Sequence, residues 1–216
     1  TSPSSTSDTI ACNEVYWSMA ELGNKMIVDL GCMKTVAGTT WINPMVTKWK
    51  QNGWYCKVVP EKESFRFGDG HVNHSRFAVI LHVNIAGISC LLRISIVSGD
   101  CPPLLSKPVC TALGLLVDTS SHTLSSSKFG IKTYGLQQSA GGHYVVPIDE
   151  VHRLQAVPSE FQFPSHCEVY PLNSSGSTVK CSPRSRPLVR TVHSTSDGRP
   201  MGKRGHSRRG RDRKST

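Results

Sequence analysis

The sequence has eight cysteines, at positions 12, 32, 56, 90, 101, 110, 167 and 181, yet no CxxC pair among them. Zinc fingers and knuckles need close Cys or His pairs, because one turn must present two ligands. His71 and His74 form the closest His pair, and no second pair stands at matching spacing. No metal is therefore expected. The opening residues are a Ser/Thr run without a basic patch or an apolar stretch, so no secretory signal is read there. Free thiols are then expected rather than a disulfide framework, and with them an intracellular location. Thr1 rather than Met opens the chain, which suggests a piece of something longer. No apolar run reaches the ~20 residues of a membrane helix; the longest, residues 86–97, is broken by Arg93 and by serines. No membrane partner is expected. There is also no GxSxG elbow, no glycine-rich loop followed by Lys-Ser/Thr, and no His spacing suited to a Ser-His-Asp or Cys-His mechanism. These absences argue against several hydrolase and nucleotide-binding classes and imply no organic cofactor.

Acidic residues are scarce, 15 against 25 Lys and Arg, and the imbalance is local. Residues 1–179 carry 13 basic and 13 acidic side chains, whereas residues 180–216 carry 12 and 2. A balanced globular part is thus followed by a basic arm. With 38% hydrophobic residues, the balanced part has enough apolar surface for a core.

Residues 1–20 are mainly small and polar and read as a flexible lead. Between 21 and 150, short apolar runs alternate with Gly- and Asn-marked turns. Lys25–Asp29 (KMIVD) is a β-branched run ending beside a Gly, which predicts a strand. Trp41, Met45 and Trp49 recur at helical spacing, so residues 40–51 read as a short helix stopped at Gly53, with Pro44 near its start. Residues 64–72 alternate around Gly-Asp-Gly and read as a hairpin. Residues 77–85 and 88–97 form a second hairpin, turned at Ala86-Gly87. Residues 106–113 suit a short helix capped by Ser106, with Pro108 in its first turn. Residues 115–118, 130–136 and 143–148 read as strands. This pattern is mainly β, with one or two short helices, and predicts a barrel or sandwich. From 151 to 216, six prolines and a Ser/Arg-rich end predict a linker and a disordered basic arm.

The chemistry concentrates in residues 26–38, MIVDLGCMKTVAG. Asp29 follows a buried apolar run and precedes Gly31, so a rigid strand would present a carboxylate on a tight loop. These residues resemble the retropepsin family of aspartic proteases, in particular the protease of retrotransposon polyproteins. The family's loop reads Asp-Thr/Ser-Gly-Ala, two variable residues, then Thr/Ser-Val; here it is Asp29-Leu30-Gly31-Cys32, then Met33-Lys34, then Thr35-Val36. Phe67-Gly68-Asp69-Gly70 resembles the tip of the flap hairpin that closes over substrate. Leu104-Leu105-Ser106, Leu113-Gly114 and residues 115–118 resemble the segment that completes the lobe. Gly142-His143-Tyr144 resembles the stretch found beyond the protease core in transposon proteins of this kind. The likeness covers roughly residues 24–148.

The resemblance implies a single-lobe, acid-protease-like closed β-barrel with Asp29 as the catalytic acid. Leu30, Gly31, Cys32 and Thr35 would form the active-site loop, and Phe67, Gly68, Asp69 and Gly70 would contact the polypeptide substrate. The Asp118-Thr119-Ser120 segment lacks the Gly of a second catalytic loop, so the active form is expected to be a homodimer whose two Asp29 residues meet on a two-fold axis. Leu30 stands where the family carries a hydroxyl that hydrogen-bonds across the dimer; its loss is expected to cost ~1–3 kcal/mol in loop rigidity and to reduce activity. The same residues support two other readings. One is an inactive, protease-like dimerisation or peptide-binding module. The other is nucleic-acid binding through Arg204, Arg208, Arg209, Arg211 and Arg213, which can neutralise phosphates without reading sequence.

Overall fold

The computed structural model describes residues 19–67, 70–149, 157 and 161–172. The basic arm, with Arg204, Arg208, Arg209, Arg211 and Arg213, lies outside the described residues, as do Gly68 and Asp69. A short helical turn α1 (Met19–Leu22) leads into β1 (Lys25–Asp29), β2 (Val36–Gly38), α2 (Thr39–Gln51), β3 (Cys56–Arg66), β4 (Val72–Ile85) and β5 (Ile88–Val97). Then come β6 (Leu104–Ser106), α3 (Lys107–Ala112), β7 (Leu116–Asp118), β8 (Thr123–Ser126), β9 (Ile131–Gly135), β10 (Gln137–Gln138), β11 (Tyr144–Pro147) and β12 (Val169–Pro171).

The fold is mainly β. One mixed sheet runs β10-β11-β1-β6-β2-β5-β4-β3, with β12 added beside β5, and β7-β8-β9 form a second, three-stranded sheet. The large sheet ends at β10 and β3, so among the described residues it does not close into the expected barrel. The sequence of β3 explains one open end. Pro60 has no N–H to give a further strand, the β3–β4 register shifts between Pro60 and Glu63, and Lys57, Lys62 and Arg66 are exposed along it. Proline, a bulge and charge are the usual means of blunting an edge strand.

The β4–β5 hairpin supplies the centre of the core. Its turn residues Ala86 and Gly87 have φ of 51° and 89°, the left-handed pair that a two-residue hairpin requires. Asn84 Oδ1 accepts the Gly87 N–H at 2.7 Å and fixes that turn. Both strands are buried along most of their length, so they read as continuous apolar runs rather than alternating ones. Helix α2 lays Trp41, Ile42, Met45 and Trp49 into this core. Trp49, fully buried, donates its Nε1 hydrogen to the His82 carbonyl at 2.6 Å. Burying one such side chain contributes about 1.5–3 kcal/mol. Pro44 lies within α2 on an exposed position, so the helix loses one hydrogen bond there but no core contact.

The structure extends the folded part beyond residue 150. β12 pairs antiparallel with the first half of β5, Val169 opposite Leu92 and Pro171 opposite Cys90. The shortness of β2 makes this addition geometrically available. β2 covers only Ser95 to Val97 on that edge of β5, which leaves the other half open. Val169 and Cys167 are buried where the chain docks. A segment expected as linker therefore completes the sheet.

Candidate active site

β1 delivers Asp29 because Met26 and Ile27 are buried beneath the strand and Val28 packs against the core. The strand is held on both sides, by β11 antiparallel and by β6 parallel, with Asp29 directly opposite Ser106. Beyond Asp29 the chain turns back on its carboxylate. Oδ1 accepts the Gly31 N–H at 2.8 Å and the Cys32 N–H at 3.2 Å, and among the described residues no donor reaches Oδ2. A side chain added at Gly31 would place its Cβ 3.2 Å from Oδ1, tight enough to press on the carboxylate. Gly31 is thus fitted to its neighbour by size.

The rest of the loop is tied inward. Thr35 and Ser106 are buried, and the Thr35 hydroxyl donates to Ser106 Oγ at 3.0 Å. The Ser106 N–H donates back to Thr35 Oγ1 at 3.3 Å, and the Lys107 N–H donates to the Cys32 carbonyl at 2.9 Å. Ser106 also caps α3, accepting the Val109 N–H at 3.5 Å. Beyond the loop, the chain passes tightly at Gly38. A Cβ there would meet Gly99 O at 2.2 Å and Cys101 N at 2.6 Å, so only glycine admits this backbone crossing.

One carboxylate is not legible in the sequence as part of the site. Glu168, just before β12, accepts the Thr35 N–H at 2.9 Å and the Ser106 hydroxyl at 3.3 Å through Oε2. Nothing local in the sequence marks it, since its donors lie 133 and 62 residues away.

The loop's outward side differs in character. Leu30 is 56% exposed and Met33 67% exposed. Cys32 is half-buried, and burial pushes its thiol up, helped by the charges of Asp29 and Glu168, against a lowering hydrogen bond from the Lys34 backbone. Burial raises Cys101 to about 12 and Cys110 to about 11. These thiols stay protonated at neutral pH and are poor nucleophiles. Among the described residues, no three His, Cys, Asp or Glu side chains gather as a metal site would require.

Of the residues expected in a flap, Phe67 and Gly70 lie between β3 and β4. Phe65 and Phe67 stack at 6.4 Å, the Gly70 N–H donates to the Phe67 carbonyl at 3.0 Å, and Gly70 has φ of 82°. Lys34 in the loop pairs with Glu63 in β3, linking loop and hairpin. Deeper in the hairpin, Glu61 is nearly buried and pairs with Arg93 at 2.9 Å. Burial pushes the Glu61 carboxyl up, but hydrogen bonds from Ser75, Arg93 and Ser95 and the Arg93 charge outweigh it and leave it below the usual range. A groove of about 390 Å³ lies between the start of β4, the end of β5 and Thr39. None of the loop residues 29–35 lines it, so it lies apart from the candidate chemistry. Asp118 is exposed and spends its carboxylate on its own turn, accepting from the Ser120 and Ser121 hydroxyls at 2.6 and 2.8 Å.

No helix among the described residues is long and apolar enough to cross a membrane. Comparison with protein-family models, curated proteins and solved structures finds no match for the chain.

Proposed function

We propose that the chain is one lobe of an aspartic endopeptidase of the retropepsin type found in retrotransposon polyproteins, active as a homodimer. The observation that carries this reading is the seating of Asp29. Its carboxylate stands at the end of a buried strand, with Oδ1 held by the Gly31 and Cys32 N–H groups, on a loop anchored to the end of a parallel neighbour strand. The sheet order β1-β6-β2-β5, with β1 parallel to β6 and β2 parallel to β5, supports the acid-protease-like form of the lobe.

In this reading, Asp29 of one copy faces Asp29 of the other. Two carboxylates a few ångströms apart cannot both ionise, so the pair shares one proton. The ionised partner takes a proton from water as it attacks the peptide carbonyl, and the protonated partner donates to the forming oxyanion; the roles then reverse to release the amine. The β3–β4 hairpin would hold an extended peptide through backbone groups, as an added strand.

Leu30 favours a second reading. It offers no hydroxyl to brace a partner loop, and its exposure leaves an apolar side chain beside Asp29, which suits a dimerising or peptide-binding module without hydrolysis. A peptide library incubated at pH ~5 with wild type, Asp29→Asn and Leu30→Thr separates the two. Cleavage by wild type that Asp29→Asn abolishes supports the enzyme. Cleavage seen only with Leu30→Thr supports the binding module, and cleavage that survives Asp29→Asn sinks the aspartic mechanism.

A further inference from the structure

We propose that Glu168 is a positioning residue that braces the Asp29 loop from within the same chain, so the functional unit extends through Leu172; its catalytic consequence rests on the endopeptidase reading. A loop presenting a catalytic carboxylate must be rigid, because small misplacements cost rate steeply. Leu30 removes one source of rigidity, since it cannot hydrogen-bond across a dimer. The structure supplies another. Glu168 Oε2 takes the Thr35 N–H and the Ser106 hydroxyl together, and these two residues also bond each other through Thr35 Oγ1. One oxygen thereby joins the end of the loop to the strand opposite Asp29. Hydrogen bonds to a charged acceptor are roughly twice as strong as neutral ones, and an unmet charge here would be costly to the fold.

The brace is itself well seated. The Arg93 N–H donates to the Glu168 carbonyl at 2.8 Å, and the Leu172 N–H donates to Ser89 O at 2.8 Å. Between them, Val169 and Pro171 are buried against β5, and Phe161 packs on Tyr170 at 5.1 Å. The carboxylate is therefore delivered by a docked strand.

The test compares amide hydrogen exchange and peptide cleavage of the full chain as wild type, Glu168→Ala and Glu168→Gln. In Glu168→Ala, exchange at Thr35 and its loop neighbours is expected to speed up about tenfold or more, from loss of a charged hydrogen bond. Exchange in α2 and the β4–β5 hairpin stays unchanged. Glu168→Gln keeps an acceptor oxygen and restores most of the loop protection. In cleavage, kcat falls about tenfold in Glu168→Ala with KM nearly unchanged, because Glu168 would touch no substrate. Unchanged loop exchange in Glu168→Ala, or equal acceleration across every element, overturns the proposal. Faster loop exchange in a chain that cleaves nothing upholds the brace and removes the endopeptidase reading instead.

Discussion

Acid should weaken this fold through one histidine. His82 lies within β4 with 1% of its surface exposed, its Nε2 2.8 Å from Ser89 Oγ. Burial lowers its pKa from 6.5 to about 4. The unfolded chain takes up a proton near pH 6.5, and the folded chain does so only near pH 4. Between those values the unfolded state binds more protons, so stability falls as the pH falls. The full contribution is present above pH 6.5, the loss begins there, and it is complete below about pH 4. At 1.36 kcal/mol per pH unit, the loss is about 2 kcal/mol by pH 5 and about 3 kcal/mol at its limit. Glu61 acts in a lower window. Its carboxyl lies below 4.5, so the stability it gives is kept above 4.5 and lost only as the pH drops further. The range from 6.5 to 5 therefore isolates His82. Urea unfolding at fixed protein concentration across that range should show the decline in wild type and a flat profile in His82→Gln, whatever the variant's absolute stability. Equal declines in both proteins would refute the assignment. Since the proposed chemistry runs in acid, this titration also sets how far the assay pH can be lowered before the fold gives way.

Three further predictions concern a backbone crossing, a left-handed turn and an ion pair. Gly38→Ala would set a Cβ 2.2 Å from Gly99 O, and thermal unfolding should report a loss of about 3 kcal/mol or more from a clash that only backbone movement relieves. Gly53→Ala, with φ of 66° but open space around it, should cost only about 1 kcal/mol of backbone strain. Arg93→Ala leaves the nearly buried Glu61 carboxylate without its cation and should cost about 3 kcal/mol in denaturant unfolding, while adding Glu61→Ala returns part of that loss.

The legible elements are those whose residues decide them locally. Lys25–Asp29 centres on the β-branched Ile27 and Val28, α2 shows its face through Trp41, Met45 and Trp49, and Gly87 marks a hairpin turn, although Ala86 beside it takes a left-handed φ that its Cβ disfavours. Ser106 is legible as a cap because capping is local. Its bond to Thr35, 71 residues away, is not. β2 is three residues long and exists through pairing with β5 and β6, for which Val36 to Gly38 carry no periodicity. β3 hides behind Pro60 and alternating charge, which mark an edge rather than the absence of a strand. β12 sits among prolines and becomes a strand only because β5 has an open half-edge. The barrel expectation fails for the same reason: closure depends on which edges meet, and edge chemistry is written weakly in sequence. Asp29 can be singled out, whereas the set of groups that holds its loop cannot, because Glu168 reaches it only through tertiary structure.

Subunit mixing tests the pairing of Asp29 residues most directly. Wild-type chain at fixed concentration is equilibrated with Asp29→Asn chain, and the initial rate of peptide cleavage is tracked as the variant is added. If two Asp29 carboxylates share one water, mixed dimers are inactive and an equal amount of variant lowers the rate to about half. A rate indifferent to added variant, or an Asp29→Asn protein that cleaves by itself, would contradict the account.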